Sequence, residues 1–440
     1  MVLKSRQSAP DAWAFEASDR KRDPWFNPYR FPASQRAWAV VDEVYGDLMG
    51  HEHRKRARHT RNRHAVQETV TALVANLVHH HLGGGQGKGL PVPRAKKDLG
   101  KHDRYQPLIF RRTFPRLLDQ LAKRKYLRER RGEYSGLPSL SRRTTIRAGS
   151  KLVDLIEKHG LTFEDLRVSE DEEVIILKRS KRDYWDRGER IGYEDNETTN
   201  RFRAQLKALN AWLEQADVAF DQTASDKPVD VTARRLYRYF TQASFDSGGR
   251  HFGGFWQHLR KDIRWKGLTI EGEPIVGLDY AQFNPTLAYS IVDAAPPAGD
   301  AYTLPGFEDH RDGVKKVFNA LLFDEGPRTK FPKDTNMLFA KGIKVGDVIA
   351  AINRKHPSLA PVMSTGIGHR LMFHESELMT RILQHLQHLG IVGLPVFDAV
   401  LVKASEARAT KLVMMGEFAR ITGIKTSVRI EGPLSDTVDL

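Results

Sequence analysis

Apolar residues at helical spacing predict a helix over 65–80 and a second running from Phe114 through Leu117, Leu118 and Leu121 to Leu127, ending near Lys125. An amphipathic helix opens at Lys151, after a basic, glycine-containing connector over 128–143 and a short strand over 144–148. A strand over 174–177 follows, then a long helix over 198–215 with Phe202, Leu206, Leu209 and Leu213 on one face. The polar stretch 221–229, with Pro228, reads as a linker. Beyond it two short apolar runs read as strands, and each carries a single acid. Asp279 lies in Ile275-Val-Gly-Leu-Asp-Tyr-Ala-Gln282 and Asp398 in Leu394-Pro-Val-Phe-Asp-Ala-Val-Leu-Val402. No repeat period is visible.

A carboxylate at the end of an apolar strand costs several kcal/mol to desolvate, on the order of that for any buried ion, unless a cation or hydrogen bonds compensate it. Two such strands side by side could share divalent metals. Two ions about 4 Å apart, held by carboxylates, stabilise both the attacking and the leaving oxygen in phosphoryl chemistry. The chain has no cysteine. Its metal sites must therefore be built from carboxylate, carbonyl or imidazole, which points to magnesium or manganese.

Composition narrows the class of partner. The chain has 440 residues, room for two or three domains, and a formal charge of +15. That charge favours a polyanion, although it does not by itself separate nucleic acid from an anionic membrane. No segment supplies the roughly 18 apolar residues of a membrane span, and residues 1–19 lack the apolar core of a secretory signal, so a cytoplasmic location is expected. The run from His51 to His64 is dense in Arg and Lys and reads as a phosphate-binding stripe. The glycine-rich stretch 82–89 contains a Gly-Lys pair but lacks the Ser or Thr and the spacing of a phosphate loop, and reads as a turn. Of the 17 histidines, the His79–His81 run and the pair His385 and His388 lack metal-ligand spacing and read as surface or groove residues, whereas His310 and His369 flank the helix that opens at Arg311 and the approach to Asp398.

Four motifs follow one another beyond Arg234. They are Gly248-Gly-Arg-His-Phe-Gly-Gly-Phe-Trp-Gln-His-Leu259, Leu278-Asp-Tyr-Ala-Gln-Phe-Asn284, Arg311-Asp-Gly-Val-Lys-Lys-Val-Phe-Asn319 and Val396-Phe-Asp-Ala399. In order and partial identity they resemble the palm and fingers of family A DNA polymerases, whose plan the single-subunit phage-type RNA polymerases share. The resemblance covers roughly residues 235 to 440. It implies that Asp279 and Asp398 are the metal aspartates, and that Tyr280 adds its backbone carbonyl to the metal shell. Gln282, Asn284, Asn319 and Phe323 would face the nucleotide. The family's usual serine is Ala281 here, its sugar-screening glutamate is Asn284, and the histidine before the second aspartate is Phe397. Deoxyribose preference is thus left open.

Residues four apart on a helix lie about 40° apart around the axis, so Arg311, Lys315, Asn319 and Phe323 share one slowly turning face. In the family this face presents an arginine and a lysine to the triphosphate. Lys315, rather than Lys316, keeps phase with Arg311 and Phe323. The glycines of the first motif would let backbone approach a ligand closely, with Arg250 and Gln257 reaching a minor groove and Arg260, Lys261 and Arg264 meeting phosphates. Trp256 and Phe255 read as core. Glu377, in the helix before the last motif, reads as a helix-surface residue. Nearer the start, the order of helix, basic connector, strand and helix resembles a winged-helix module.

The expected fold class is α+β: a right-hand polymerase palm, an antiparallel sheet with helices, preceded by a basic N-terminal domain of winged-helix type. The expected domains are 1–160, a nucleic-acid-binding region; 161–233, a helical connecting or thumb-like region; and 234–440, the palm with short fingers. The expected function is template-directed nucleotidyl transfer, as a DNA polymerase without proofreading, using two Mg2+ or Mn2+ ions, a primer-template and nucleoside triphosphates. An RNA polymerase or primase on the same palm is the alternative within the enzyme class. A DNA-binding protein of a mobile element with a degenerate palm is the alternative outside it.

Overall fold

The computed structural model describes residues 25–51, 59–85, 89–133, 142–181, 186 and 188–433. Most of the basic run after His51 and the centre of the glycine-rich stretch lie outside the described residues. The chain forms two compact units. One holds the described residues of Asp19–Glu173 together with Gln222–Ala233, and the other holds the described residues of Val174–Asp221 and of Arg234–Leu440. The stretch 161–233, expected as a connecting region, is divided between them.

The first unit runs β1 (Arg30–Pro32), α1 (Gln35–Gly50), α2 (Thr60–Leu82), β2 (Leu90–Pro91), α3 (Phe114–Lys123), β3 (Leu127–Arg130), β4 (Thr145–Ala148), α4 (Ser150–Lys158) and β5 (Leu166–Val168). Helix α2 is its hub, buried without a break from Thr69 to Val78. A helix apolar on all sides must sit inside a core, and α2 packs there with Val40 and Val44 of α1, Leu118 and Leu121 of α3, and Leu152 of α4. Strands β2, β4 and β3 form an antiparallel sheet in that order. Helix α3 stops earlier than its apolar spacing suggests, because Lys125 adopts a left-handed φ of 62°. Leu127, which continues the helical period in sequence, instead opens β3 and reaches the same core from a strand. The expected connector over 128–143 thus begins as strand, and Gly132 closes it. A Cβ there would sit 2.5 Å from the Arg142 carbonyl oxygen.

The second unit runs β6 (Ile175–Leu177), α5 (Glu197–Gln215), β7 (Val218–Phe220), β8 (Tyr237–Phe240), β9 (Gly248–Phe252), α6 (Lys261–Gly267), β10 (Leu268–Ile270) and β11 (Glu273–Tyr280). It continues with α7 (Phe283–Ile291), α8 (Arg311–Phe323), α9 (Val345–Lys355), α10 (Gly368–His388), β12 (Leu394–Val396), β13 (Ala399–Lys403), α11 (Ala407–Thr422) and β14 (Val428–Glu431). Its main sheet is antiparallel, in the order β12-β13-β11-β10-β7 with β14 also beside β11. A smaller sheet pairs β6 parallel to β8 and β8 antiparallel to β9. Val276, Leu278 and Tyr280 of β11 enter a core shared with Val314, Phe318 and Leu321 of α8, Leu378 and Ile382 of α10, and Phe418 of α11. Mixed helices and antiparallel sheets make the class α+β. No helix among the described residues is long and apolar enough to cross a membrane.

Candidate active site

Strand alternation decides where Asp279 goes. Val276, Leu278 and Tyr280 fill the core, so Ile275, Gly277 and Asp279 take the other face of β11. Gly277 makes room there for Trp265, whose ring a Cβ would meet at 2.9 Å. The register of β11 with β13 runs to Leu278↔Val400, which brings Asp279 beside the turn that joins β12 to β13. That turn is a two-residue hairpin, because Val396 pairs with Ala399. Asp398 therefore occupies the hairpin tip and not a strand. The residue before it, Phe397, has φ 59°. Glycine is the usual occupant of a first hairpin position with positive φ, and a bulky residue is strained there. The edge of Phe252 at 5.8 Å and the guanidinium of Arg250 at 5.5 Å hold the Phe397 ring in place.

Burial and the charge of Asp398 raise the proton affinity of Asp279. Asp279 is pushed up to about 7, first by loss of water, then by the charges of Asp398 and Glu431, with Lys315 and the Tyr280 amide acting against them. Asp398 is also raised by desolvation, while Arg250 and Lys315 pull it down. The Asp279 Oδ1 atom is buried and has no hydrogen-bond partner among the described residues. A crowded carboxylate pair with an idle buried oxygen has the donor chemistry that a hard divalent cation requires. No group of three or more His, Asp or Glu suited to a metal occurs among the described residues. Such an ion would take its remaining ligands from backbone, water or substrate oxygens, as Mg2+ commonly does.

Helix α8 brings its cations to the same site. Lys315 is exposed, and its charge reaches both Asp279 and Asp398; its Nζ lies 5.9 Å from the Tyr302 ring. The Arg311 guanidinium lies over the same ring at 5.4 Å, and its Nε donates to Asp300 at 2.7 Å. Both cations thus share the Tyr302 ring, and Lys316 enters none of these contacts. Further along, Phe323 packs edge-on against His369 at 5.5 Å and covers Gly368.

Other expected contacts are turned inward. Asn284 and Asn319 are both buried, with the Asn284 amide donating to Asn319 Oδ1 at 3.0 Å. The Gln282 side chain accepts from the Ala301 amide, and Gln282 itself has φ 56° at the start of α7. The Tyr280 hydroxyl donates to the Met414 carbonyl at 2.8 Å.

The glycine-rich motif also departs from expectation. Arg250 is only 6% exposed and donates through Nε at 2.6 Å and through Nη2 to the two oxygens of buried Glu375. Gln257 accepts from Gly253 N and donates to the carbonyls of His251 and Pro395. Both therefore brace the floor under the Asp398 hairpin and offer nothing to a minor groove. The room left by the glycines is filled by the chain itself: Ser376 against Gly249, Tyr237 against Gly253, Trp256 against Gly254. Trp256 is fully buried and donates to Pro395 O, as core packing requires. Arg260 pairs with Asp262 and Lys261 with Glu431 at 2.6 Å. Arg264 is partly buried, with burial working against its charge.

Two residues that sequence reasoning passed over anchor this floor. Glu375 neutralises Arg250, and Arg238, buried in β8, pairs with Glu377 at 2.8 Å and donates to Ser376 Oγ at 2.7 Å. Glu377 thus has a buried partner and is not a free helix-surface acid. The available signal was an arginine inside each of two short aromatic strands, Tyr-Arg-Tyr-Phe240 and Gly-Gly-Arg-His-Phe252, where a charge needs a partner.

Two outcomes follow from these environments. Between pH 4 and 7 unfolded Asp279 ionises while the folded residue keeps its proton, so stability falls as pH rises. In metal-free buffer Asp279→Asn is expected to match the parent near pH 4 and exceed it by about 2–4 kcal/mol above pH 7; a difference independent of pH would contradict the assignment. Arg250→Met, which strands the Glu375 charge, is expected to cost about 3–5 kcal/mol, whereas Arg250→Met with Glu375→Leu should recover most of that loss. Equal losses in the single and double variants, read by denaturant unfolding, would show that the pair does not act as one unit.

No protein-family model matches the chain, and no curated protein matches it. Among solved structures it is similar to the polymerase domain of Pol1 from M. smegmatis in complex with DNA primer-template and dNTP. The TM-score is 0.28 and the identity 8%, over 91% of this chain and 66% of that one. At that TM-score the likeness carries neither a fold nor an activity across to this chain.

Proposed function

We propose that this chain is a template-directed nucleotidyltransferase, a DNA polymerase of family A type without proofreading, with its palm over 234–440. The observation that carries this reading is the partner-poor pair Asp279 and Asp398, set together by β11 and the β12–β13 hairpin and facing Lys315 of α8. Divalent ions held by these carboxylates and by the Tyr280 carbonyl would supply charge neutralisation to the attacking and leaving oxygens of phosphoryl transfer. Lys315 offsets the charge of the incoming triphosphate, and Arg311 does so from a position fixed by Asp300. Arg250 and Glu375 keep the hairpin, and with it Asp398, in register with Asp279.

Asn284 favours a second reading, an RNA polymerase or primase on the same palm. Its side chain is spent on Asn319, so no carboxylate from this position screens the sugar. For the first unit we propose a winged-helix role in holding nucleic acid, supported by the succession α3, β3, β4 and by the sheet order β2-β4-β3.

The test is extension of a labelled primer on a DNA template with Mg2+, with deoxyribonucleotides and ribonucleotides in separate reactions, beside Asp398→Ala. Template-dependent extension lost in the variant is the expected result, and the nucleotide used fixes the sugar preference. Extension by Asp398→Ala at the parent rate, or none by the parent with either nucleotide set, would overturn the proposal.

A further inference from the structure

The chain's positive charge is concentrated in one stretch of the first unit. Residues 111–147 hold twelve Lys and Arg against three Asp and Glu, so nine of the fifteen net charges lie there. The β3–β4 hairpin sorts part of that charge onto one face. Leu127 turns inward to pack with Ile146, and Glu129 is bound by Arg94. Arg128 and Arg130 therefore stand on the opposite, exposed side. The register sets Arg128 directly opposite Arg147, also exposed, and Arg130 opposite Thr145.

Like charges directly opposite one another destabilise a sheet. Here the repulsion is left standing, because none of Arg128, Arg130 and Arg147 has an acidic partner among the described residues. Two of the three acids in the stretch are already engaged: Asp119 and Glu129 are each bound by Arg94 and Arg131. Such a face needs an anion from outside.

The chemistry of the face selects the anion. Arginine forks match phosphate oxygens. Two arginines two residues apart on a strand are about 7 Å apart, close to the separation of successive phosphates in a nucleic-acid strand. None of the large exposed hydrophobic residues of the described chain lies in this hairpin. The described residues of the hairpin therefore offer no stacking platform for single-stranded bases and no apolar wedge for a membrane. Helix α3 is less suited, because Asp119, engaged by Arg94 and Arg131, sits between Arg116 and Lys123 on its exposed side.

We propose that the outer face of the β3–β4 hairpin, through Arg128, Arg130 and Arg147, binds the phosphate backbone of duplex DNA without regard to sequence. This rests on the nucleic-acid reading of the first unit and deepens it, naming the hairpin rather than α3 as the contact, and it does not depend on the polymerase reading of the second unit.

The experiment uses the full chain, a short blunt DNA duplex and fluorescence anisotropy across a salt series. It compares the parent with the triple variant Arg128→Ala, Arg130→Ala, Arg147→Ala and with the double variant Arg116→Ala, Lys123→Ala. The triple variant is expected to lose about tenfold or more in affinity and to lower the slope of log affinity against log salt by about two to three. Its melting temperature should equal or exceed the parent's, since a like-charge pair has gone. An unchanged slope, a larger loss in the double variant, or a lowered melting temperature would overturn the proposal. So would tighter binding to phosphatidylserine vesicles than to the duplex at equal salt. Loss of duplex binding in the triple variant, in a chain that extends no primer, would leave this proposal standing and remove the polymerase reading. Normal extension with an unchanged slope would do the reverse.

Discussion

Asp279 and Asp398 repel each other, and much of the second unit is arranged to keep them together. Asp279 retains a buried oxygen with no hydrogen-bond partner among the described residues. The proximity of the two acids is imposed by backbone. The β11–β13 ladder delivers Asp279 to the hairpin, and a strained Phe397 turns the hairpin so that Asp398 stands at its tip. Buried Arg250 and Glu375 then lock β9 to α10 beneath that turn, with Arg250 lending positive charge to Asp398. Such an arrangement costs stability in the free protein and would become favourable with a cation bound, as the proposed function requires.

The first unit shows the same logic with the sign reversed. Asp119 and Glu129, the acids beside the hairpin, are taken by Arg94 and Arg131, while Arg128 and Arg147 face each other across a ladder without relief. Both places hold like charges brought together by a β-hairpin. The first suits a cation and the second a phosphate, and the two proposals made for this chain rest on these two features.

Much of this was legible in the sequence because it depends on short-range periodicity. The 3.6-residue period put Arg311 and Lys315 in phase, and Lys315, not Lys316, is the lysine whose charge reaches the carboxylates. Two apolar runs, each interrupted by an acid, pointed to Asp279 and Asp398, and the strand registers set the first beside the turn that carries the second. What failed depends on partners distant in sequence. Arg250 and Gln257, set among glycines, looked free for a ligand, but Glu375 lies 125 residues away and takes the arginine, while Pro395 takes the glutamine. Leu127 kept the helical period and nevertheless begins a strand, because a single left-handed residue, Lys125, changes the chain's course without changing which side faces the core. The Phe397-Asp398 turn carries no Gly or Asn, so its hairpin had no sequence signal at all.

The central claim, that Asp279 and Asp398 form one cation site, is tested most directly by titrating Mn2+ into the parent, Asp279→Asn and Asp398→Asn in a calorimeter, with proton release followed by buffers of different ionisation enthalpy. The account predicts that the parent binds, that either substitution weakens binding about tenfold or more, and that proton release is larger near pH 6.5 than near pH 8.5, because Asp279 holds its proton up to about 7. Equal affinity in all three proteins, or binding with no pH-dependent proton release, would contradict it.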